Sequence, residues 1–250
     1  MHPVLLRIGP FPVSSYGILL VVAFLVAVGL ACRDARRLPH LGQLTDKQIV
    51  DFMCYALLGG ILGGRLLYVA IHWGSFAQAP HEVLAIWHGG LVWYGGFLGG
   101  VLTGWFYARA TGVSFLRGAD QAAPYVALGH AIGRIGCFLN GCCYGVATTA
   151  WCGVVFPGDR VARLPTQLVE SVGLFGLFGF LYTLRWRGRR DGPGWLFGVY
   201  LIGYAILRFA VEFVRGDQPR WWMGLTPQQL ISVGILLVGS VLLTAGSRRR

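Results

Sequence analysis

The sequence predicts an all-α polytopic membrane protein, with about seven transmembrane helices in a single transmembrane domain over residues 1–250. Three observations predict it. Hydrophobic residues make up 55% of the chain and charged residues 12%, at a mean hydropathy of +0.61, whereas soluble domains carry about 25% charged residues. Seven stretches come close to the roughly 20 mostly apolar residues that a span needs. The connections between them alternate between basic and nearly neutral.

The first span covers 12–32. Its end, Leu30-Ala31-Cys32, faintly resembles a lipoprotein signal, but Gly29 stands three before Cys32, and Arg33, Arg36 and Arg37 follow at once. Those arginines hold this end in the cytoplasm, so the segment reads as a first helix and not a cleaved signal. The second span covers 49–72 and carries Gly59, Gly60, Gly63 and Gly64; the third covers 86–108 and carries Gly96 and Gly100. Such small-xxx-small faces let helices pack closely in lipid. The block from His88 to Gly96 is denser in glycine than packing requires. Its paired glycines are expected to break the helix and expose backbone N–H groups to an anion. The fourth span, 120–139, is like the third Gly-rich and polar at one end, and either is open to being re-entrant. The remaining spans are 167–185, 194–214 and 226–246.

Counting Lys and Arg in alternate connections gives 13 on one side and 5 on the other. The side with 13 is expected to be cytoplasmic, which places the N-terminus outside and the C-terminus inside. The basic residues are 20 Arg and one Lys, Lys47, against 10 acids. Nucleic-acid binding is excluded, because no soluble basic face is available to carry it.

Positive-inside anchoring explains the loop arginines but not Arg65, Arg134 and Arg208, which fall within apolar segments. Each costs about 2.5–3.5 kcal/mol at a helix centre, and intramembrane charges are functional candidates by default. The structural alternative is an ion pair, such as Arg208 with Glu212 one turn later. The topology places Arg65, Arg134, Arg208, Tyr16, His88 and Tyr94 at similar depth toward the outer side. A site lined with guanidinium groups in the outer leaflet suits a lipid phosphate.

The segment Gly133-Arg134-Ile135-Gly136-Cys137-Phe138-Leu139-Asn140-Gly141 resembles the signature of the prolipoprotein diacylglyceryl transferase family, of the form G-R-x-G-N-F-x-N-G-E. Other stretches are similar in the family's order. They are Ser15-Tyr16-Gly17, Gly63-Gly64-Arg65 with Tyr68, Trp87-His88-Gly89-Gly90 followed by Tyr94-Gly95-Gly96, and Pro165-Thr166-Gln167-Leu168 with Glu170. Tyr204, Arg208-Phe209-Ala210-Val211-Glu212-Phe213 with Arg215, and Leu225-Thr226-Pro227-Gln228-Gln229 complete the set.

The resemblance implies transfer of the diacylglyceryl group of phosphatidylglycerol to the lipobox cysteine of prelipoproteins, in a bacterial inner membrane. A thioether forms and glycerol phosphate leaves. It implies Arg134 and Arg208 as catalytic groups and His88 or Tyr94 as proton acceptor, with His130 a third candidate. Arg134, Tyr16, Arg65, Asn140, Tyr204, Gly89, Gly90, Gly95 and Gly96 would bind phosphatidylglycerol. The implied partners are that lipid, prelipoprotein signal peptides and membrane lipids, with no cofactor and no metal.

Cys137 and Cys142 stand where the signature has Asn and Glu, and Tyr94 where a histidine is often found. Cys137, Cys142, Cys143 and Cys152 all fall on or near the outer side, where disulfides persist. A disulfide bracing the Gly-Cys-Cys-Tyr-Gly loop is expected, for example pairing with Cys137 and Cys152; zinc fits less well, because the spacing suits no standard site. Three other functions stay open: a transferase of the same fold with another acceptor or donor, a non-catalytic lipid-binding or transport protein, and a thiol–disulfide oxidoreductase. The internal repeat of many transporters and the C-x-x-C of redox enzymes are both missing from the sequence.

Overall fold

A computed structural model describes residues 4–8, 11–37, 44–86, 89–187, 192–215 and 224–247. A hairpin of β1 (Val4–Ile8) and β2 (Phe11–Ser14) precedes α1 (Ser15–Arg37) and α2 (Asp46–Ile71). A short α3 (Trp73–Gln78) and a 3-10 turn (Pro80–Leu84) lead to α4 (Trp93–Thr111) and α5 (Phe115–Asn140). Strands β3 (Val154–Val155) and β4 (Ala162–Arg163) pair in the next connection, and α6 (Thr166–Trp186), α7 (Trp195–Glu212) and α8 (Pro227–Ser247) follow. Five helices, α1, α2, α6, α7 and α8, are long and apolar enough to cross a membrane. The protein is therefore an all-α, multi-pass membrane protein. The two long helices outside that group, α4 and α5, coincide with the third and fourth spans read above. The third begins at Trp93 and not at 86, because Gly89 and Gly90 have φ of 85° and 80° and end any helix before it.

The helix ends follow local chemistry. The Ser14 hydroxyl accepts from Gly17 N–H at 3.1 Å at the start of α1, and Arg36 and Arg37 sit in its last turn, where cations favour the helix dipole. Thr45 and Gln48 form a capping box on α2, and Thr226 and Gln229 do the same on α8, where Pro227 takes the first position. Exposed Leu25, Leu62, Leu66, Ile206 and Leu237 are the faces that a hydrocarbon layer covers.

The chain divides into two compact units. The smaller, Gly42–Gly118, is built on α2 against α4. A Cβ on Gly63 would lie 2.3 Å from the Gly95 carbonyl oxygen, and one on Gly99 would lie 2.1 Å from that of Gly59. Backbone touches backbone along this seam, as small-residue faces in lipid allow. The seam runs through Gly59, Gly63, Gly95 and Gly99. Gly96 and Gly100, expected to form the face, flank it with looser approaches to Gly60 and Ala56. Gly99→Ala is expected to force the helices apart and cost about 1–3 kcal/mol or more, read as a lower thermal midpoint in detergent. An unchanged midpoint would show that the seam tolerates separation.

The larger unit, Met1–Leu41 with Ala119–Arg250, has its core on α5, α6 and α7. Ala123, Ala127 and Ala131 of α5 are buried with Leu174 and Leu181 of α6 and Leu196, Tyr200, Leu201 and Tyr204 of α7. Gly198 and Gly239 bring α7 and α8 together, each within about 3 Å of the other's carbonyl oxygen once a Cβ is added. At the C-terminal end of α1, Asp34 accepts from Tyr125 at 2.6 Å and Tyr182 at 3.4 Å, and Gln121 bridges the Ala31 carbonyl and Arg185. Asp120 accepts from Gly194 and Phe197 N–H, which caps α7 from a neighbouring helix.

Candidate active site

The site of the larger unit starts where α5 stops. Cys142 N–H donates to the Cys137 carbonyl and Gly141 N–H to that of Phe138, with Gly141 at φ 76°. This pair of bonds around a left-handed glycine is a Schellman motif, and it turns the chain back over the last turn of α5. Cys143 is the one non-glycine with positive φ, 65°, among the described residues. Helix α6 secures the turn from the side: Gln167 donates to the Cys142 carbonyl at 2.5 Å and Thr166 to that of Cys143 at 2.9 Å. Gly145 closes it, donating to Leu164 at 2.8 Å, and a Cβ there would lie 2.6 Å from the Val214 carbonyl oxygen.

All six cysteines are free thiols, so the expected disulfide among Cys137, Cys142, Cys143 and Cys152 is not formed. The Schellman turn decides this grouping: it gathers Cys137, Cys142 and Cys143, whose sulfurs lie within 4.8 Å of one another, and Cys152 is not part of the group. Hydrogen bonding shared with the Cys137 and Cys142 thiols, with Arg215 and Arg134 nearby, shifts the Cys143 thiol below its ordinary range despite burial.

One helical turn before Cys137, Arg134 reaches across to α6. Its Nη2 lies 2.9 Å from Glu170 Oε1, with side chains only 14% and 2% exposed. His130, a turn earlier again, places Nε2 3.8 Å from the same carboxylate, and its ring lies 5.3 Å from that of Tyr204. Arg208 pairs with Glu212 at 2.5 Å within α7, the intrahelical pair that the spacing allowed. Thr226, held by its capping box, donates to Glu212 at 2.8 Å. Tyr204 stands in the electrostatic reach of Glu170, Arg134, Arg208 and Arg215. Three arginines thus share this region with two glutamates. Arg134 Nε is buried and has no hydrogen-bond partner among the described residues. Tyr16 lies beside the cysteines and Arg134, against Gly136, where a Cβ would come 3.1 Å from its ring. Asn140 is exposed at the end of α5.

The smaller unit treats its residues differently. Arg65 is buried and donates to five carbonyls, those of Glu82, Val83, Ala85, Gly89 and Gly90, with Tyr68 and Phe76 rings against its guanidinium. Gly89 and Gly90 therefore present carbonyls inward to Arg65, and Gly89 N–H donates to Ile86, where the sequence suggested N–H groups facing an anion. Gly90 must be glycine, since a Cβ would lie 2.4 Å from the Tyr68 ring. Gly95 and Gly96 lie in α4 against α2. Tyr94 is exposed in the first turn of α4, and His88 lies outside the described residues.

Sequence reasoning gave Glu170 no role, although an acid inside an apolar helix was the available signal. It saw Thr226 and Gln229 only as part of a motif. The network of Asp34, Gln121, Tyr125, Tyr182 and Arg185 carried no signal beyond polar residues near helix ends.

Comparison with known proteins identifies the family. The model of the family described as prolipoprotein diacylglyceryl transferase matches residues 3–245. A phosphatidylglycerol–prolipoprotein diacylglyceryl transferase of Methylococcus capsulatus is 37% identical over 260 residues, covering 100% of this chain and 97% of its own. That of Aromatoleum aromaticum is 36% identical, covering 97% and 94%, and that of Solidesulfovibrio magneticus 37%, covering 96% and 93%. With a match along nearly its whole length, the chain belongs to the prolipoprotein diacylglyceryl transferase family.

Proposed function

We propose that this protein transfers the diacylglyceryl group of phosphatidylglycerol to the lipobox cysteine of prelipoprotein signal peptides, in a bacterial cytoplasmic membrane, from a site facing the outer leaflet. The substrate thiolate attacks the glyceryl carbon that carries the phosphate ester. A C–S bond forms, the C–O bond breaks, and glycerol phosphate leaves with the electron pair. The leaving phosphate gathers charge, so cations placed against it lower the barrier. The observation that carries the reading is Arg134: it spends Nη2 on Glu170 and keeps Nε for a phosphate oxygen. Arg208, fixed by Glu212, adds a second guanidinium, while Tyr204, Tyr16 and Asn140 orient the head group.

The thiol proton goes to a histidine or tyrosine. His130 is one candidate acceptor, with Nε2 3.8 Å from the Glu170 carboxylate. Tyr94 and His88 are the other acceptors, and the single variants of each separate the three by which one lowers transfer at neutral pH and recovers it as pH rises. In the smaller unit, Arg65 holds the loop before α4 through its backbone carbonyls.

The test is direct. Protein in detergent is given phosphatidylglycerol and a lipobox peptide, and the peptide is weighed by mass spectrometry. A diacylglyceryl mass increase on cysteine is expected, and none with a peptide whose cysteine is serine. No increase, beside an active relative under the same conditions, would leave a lipid-binding role in its place.

A further inference from the structure

We propose that Cys137, Cys142 and Cys143 form a binding site for one soft, thiophilic metal ion of the Zn2+ or Cu+ class. The sequence did not point there, because no pair has metal-ligand spacing and the three residues straddle a helix end. The fold makes the cluster. The Schellman turn returns Cys142 over Cys137, and the left-handed backbone of Cys143 keeps the next sulfur on the same side. The three sulfurs lie within 4.8 Å of one another, with Cys142 and Cys143 at 3.6 Å. A metal–sulfur bond of about 2.3 Å in a tetrahedron separates its sulfurs by about 3.8 Å, so the cluster needs only a small closure.

The frame around the thiols is built as metal sites are built. The carbonyls of Cys142 and Cys143 each accept a side-chain hydrogen bond from α6, which fixes the backbone that carries two of the ligands. Arg134 and Arg215 stand nearby, and their positive charge offsets that of a three-thiolate site. Soft sulfur donors select Cu+ and Zn2+ over Mg2+ or Ca2+. Three thiolates complete the shell of Cu+. For Zn2+ they leave a fourth position for water, as in three-ligand zinc sites. All the ligands belong to one unit of the chain, so the site needs no partner subunit.

The experiment uses the full-length protein in detergent, reduced and stripped with chelator. Cd2+ is titrated as a probe and the ultraviolet thiolate-to-cadmium band is followed; Zn2+ bound after gel filtration is measured by elemental analysis. One ion per chain is expected, lost in Cys142→Ser/Cys143→Ser and kept in Cys152→Ser. Since a loop variant can misfold, the wild-type protein gives a second reading: Zn2+ is expected to shield Cys137, Cys142 and Cys143, but not Cys152, from alkylation mapped by mass spectrometry. Stoichiometry near zero, a metal band unchanged in the double variant, or equal alkylation with and without Zn2+ would overturn the proposal. Either result is independent of transferase activity.

Discussion

Arg134→Ala is expected to lower diacylglyceryl transfer by 10²-fold or more, the scale of losing a preorganised group that stabilises developing negative charge. The single variant alone is ambiguous, because it also strands Glu170, whose side chain is 2% exposed. Removing one partner of a buried ion pair costs about 3–5 kcal/mol, so part of the loss would be unfolding. Arg134→Ala/Glu170→Gln separates the two effects. The second change removes the stranded charge, so the thermal midpoint is expected to return toward wild type while transfer stays low. If transfer returned with stability, Arg134 would be a structural ion-pair partner and the phosphate role would fall to Arg208.

Arg65→Gln is expected to do the reverse. Arg65 feeds five backbone carbonyls, and glutamine has two N–H donors, so at least three carbonyls lose their partner. Leaving buried acceptors unmatched costs about 1–3 kcal/mol each where burial is complete; with several of these partly buried, a loss of roughly 3–5 kcal/mol is expected. It would be read as a lower thermal midpoint and as faster proteolysis between residues 79 and 92. Transfer would fall in proportion to folded protein, with an unchanged KM for phosphatidylglycerol. A raised KM at unchanged stability would instead give Arg65 the lipid-binding role that its place in an apolar segment first suggested.

These two arginines show where sequence stops. Both lie in apolar helices beside family motifs, and from the sequence both read as phosphate ligands. The difference rests on what each guanidinium meets: a carboxylate on α6 for Arg134, a ring of carbonyls from the turn before α4 for Arg65. The same holds for the glycines. Their density signalled close approach, but whether Gly89 and Gly90 offer N–H or C=O inward is set by two positive φ angles.

What the sequence by itself determined was the all-α membrane fold, the approximate course of the long helices, the family and the set of polar residues held in apolar surroundings. These follow from local or ordered features: the length of apolar runs, the alternation of basic and nearly neutral connections, and motifs in fixed succession. The tertiary structure alone decided the partners. Glu170 meets Arg134 because α6 packs on α5 through Ser171 and the Ala131 carbonyl. The three thiols meet because a glycine ends α5 and folds the chain back, which gathers Cys137 with Cys142 and Cys143 where the expectation was a disulfide. Apolar length and helix ends are written in neighbouring residues. Distances between side chains depend on dihedral angles and helix crossings, and these are settled only when the whole chain packs.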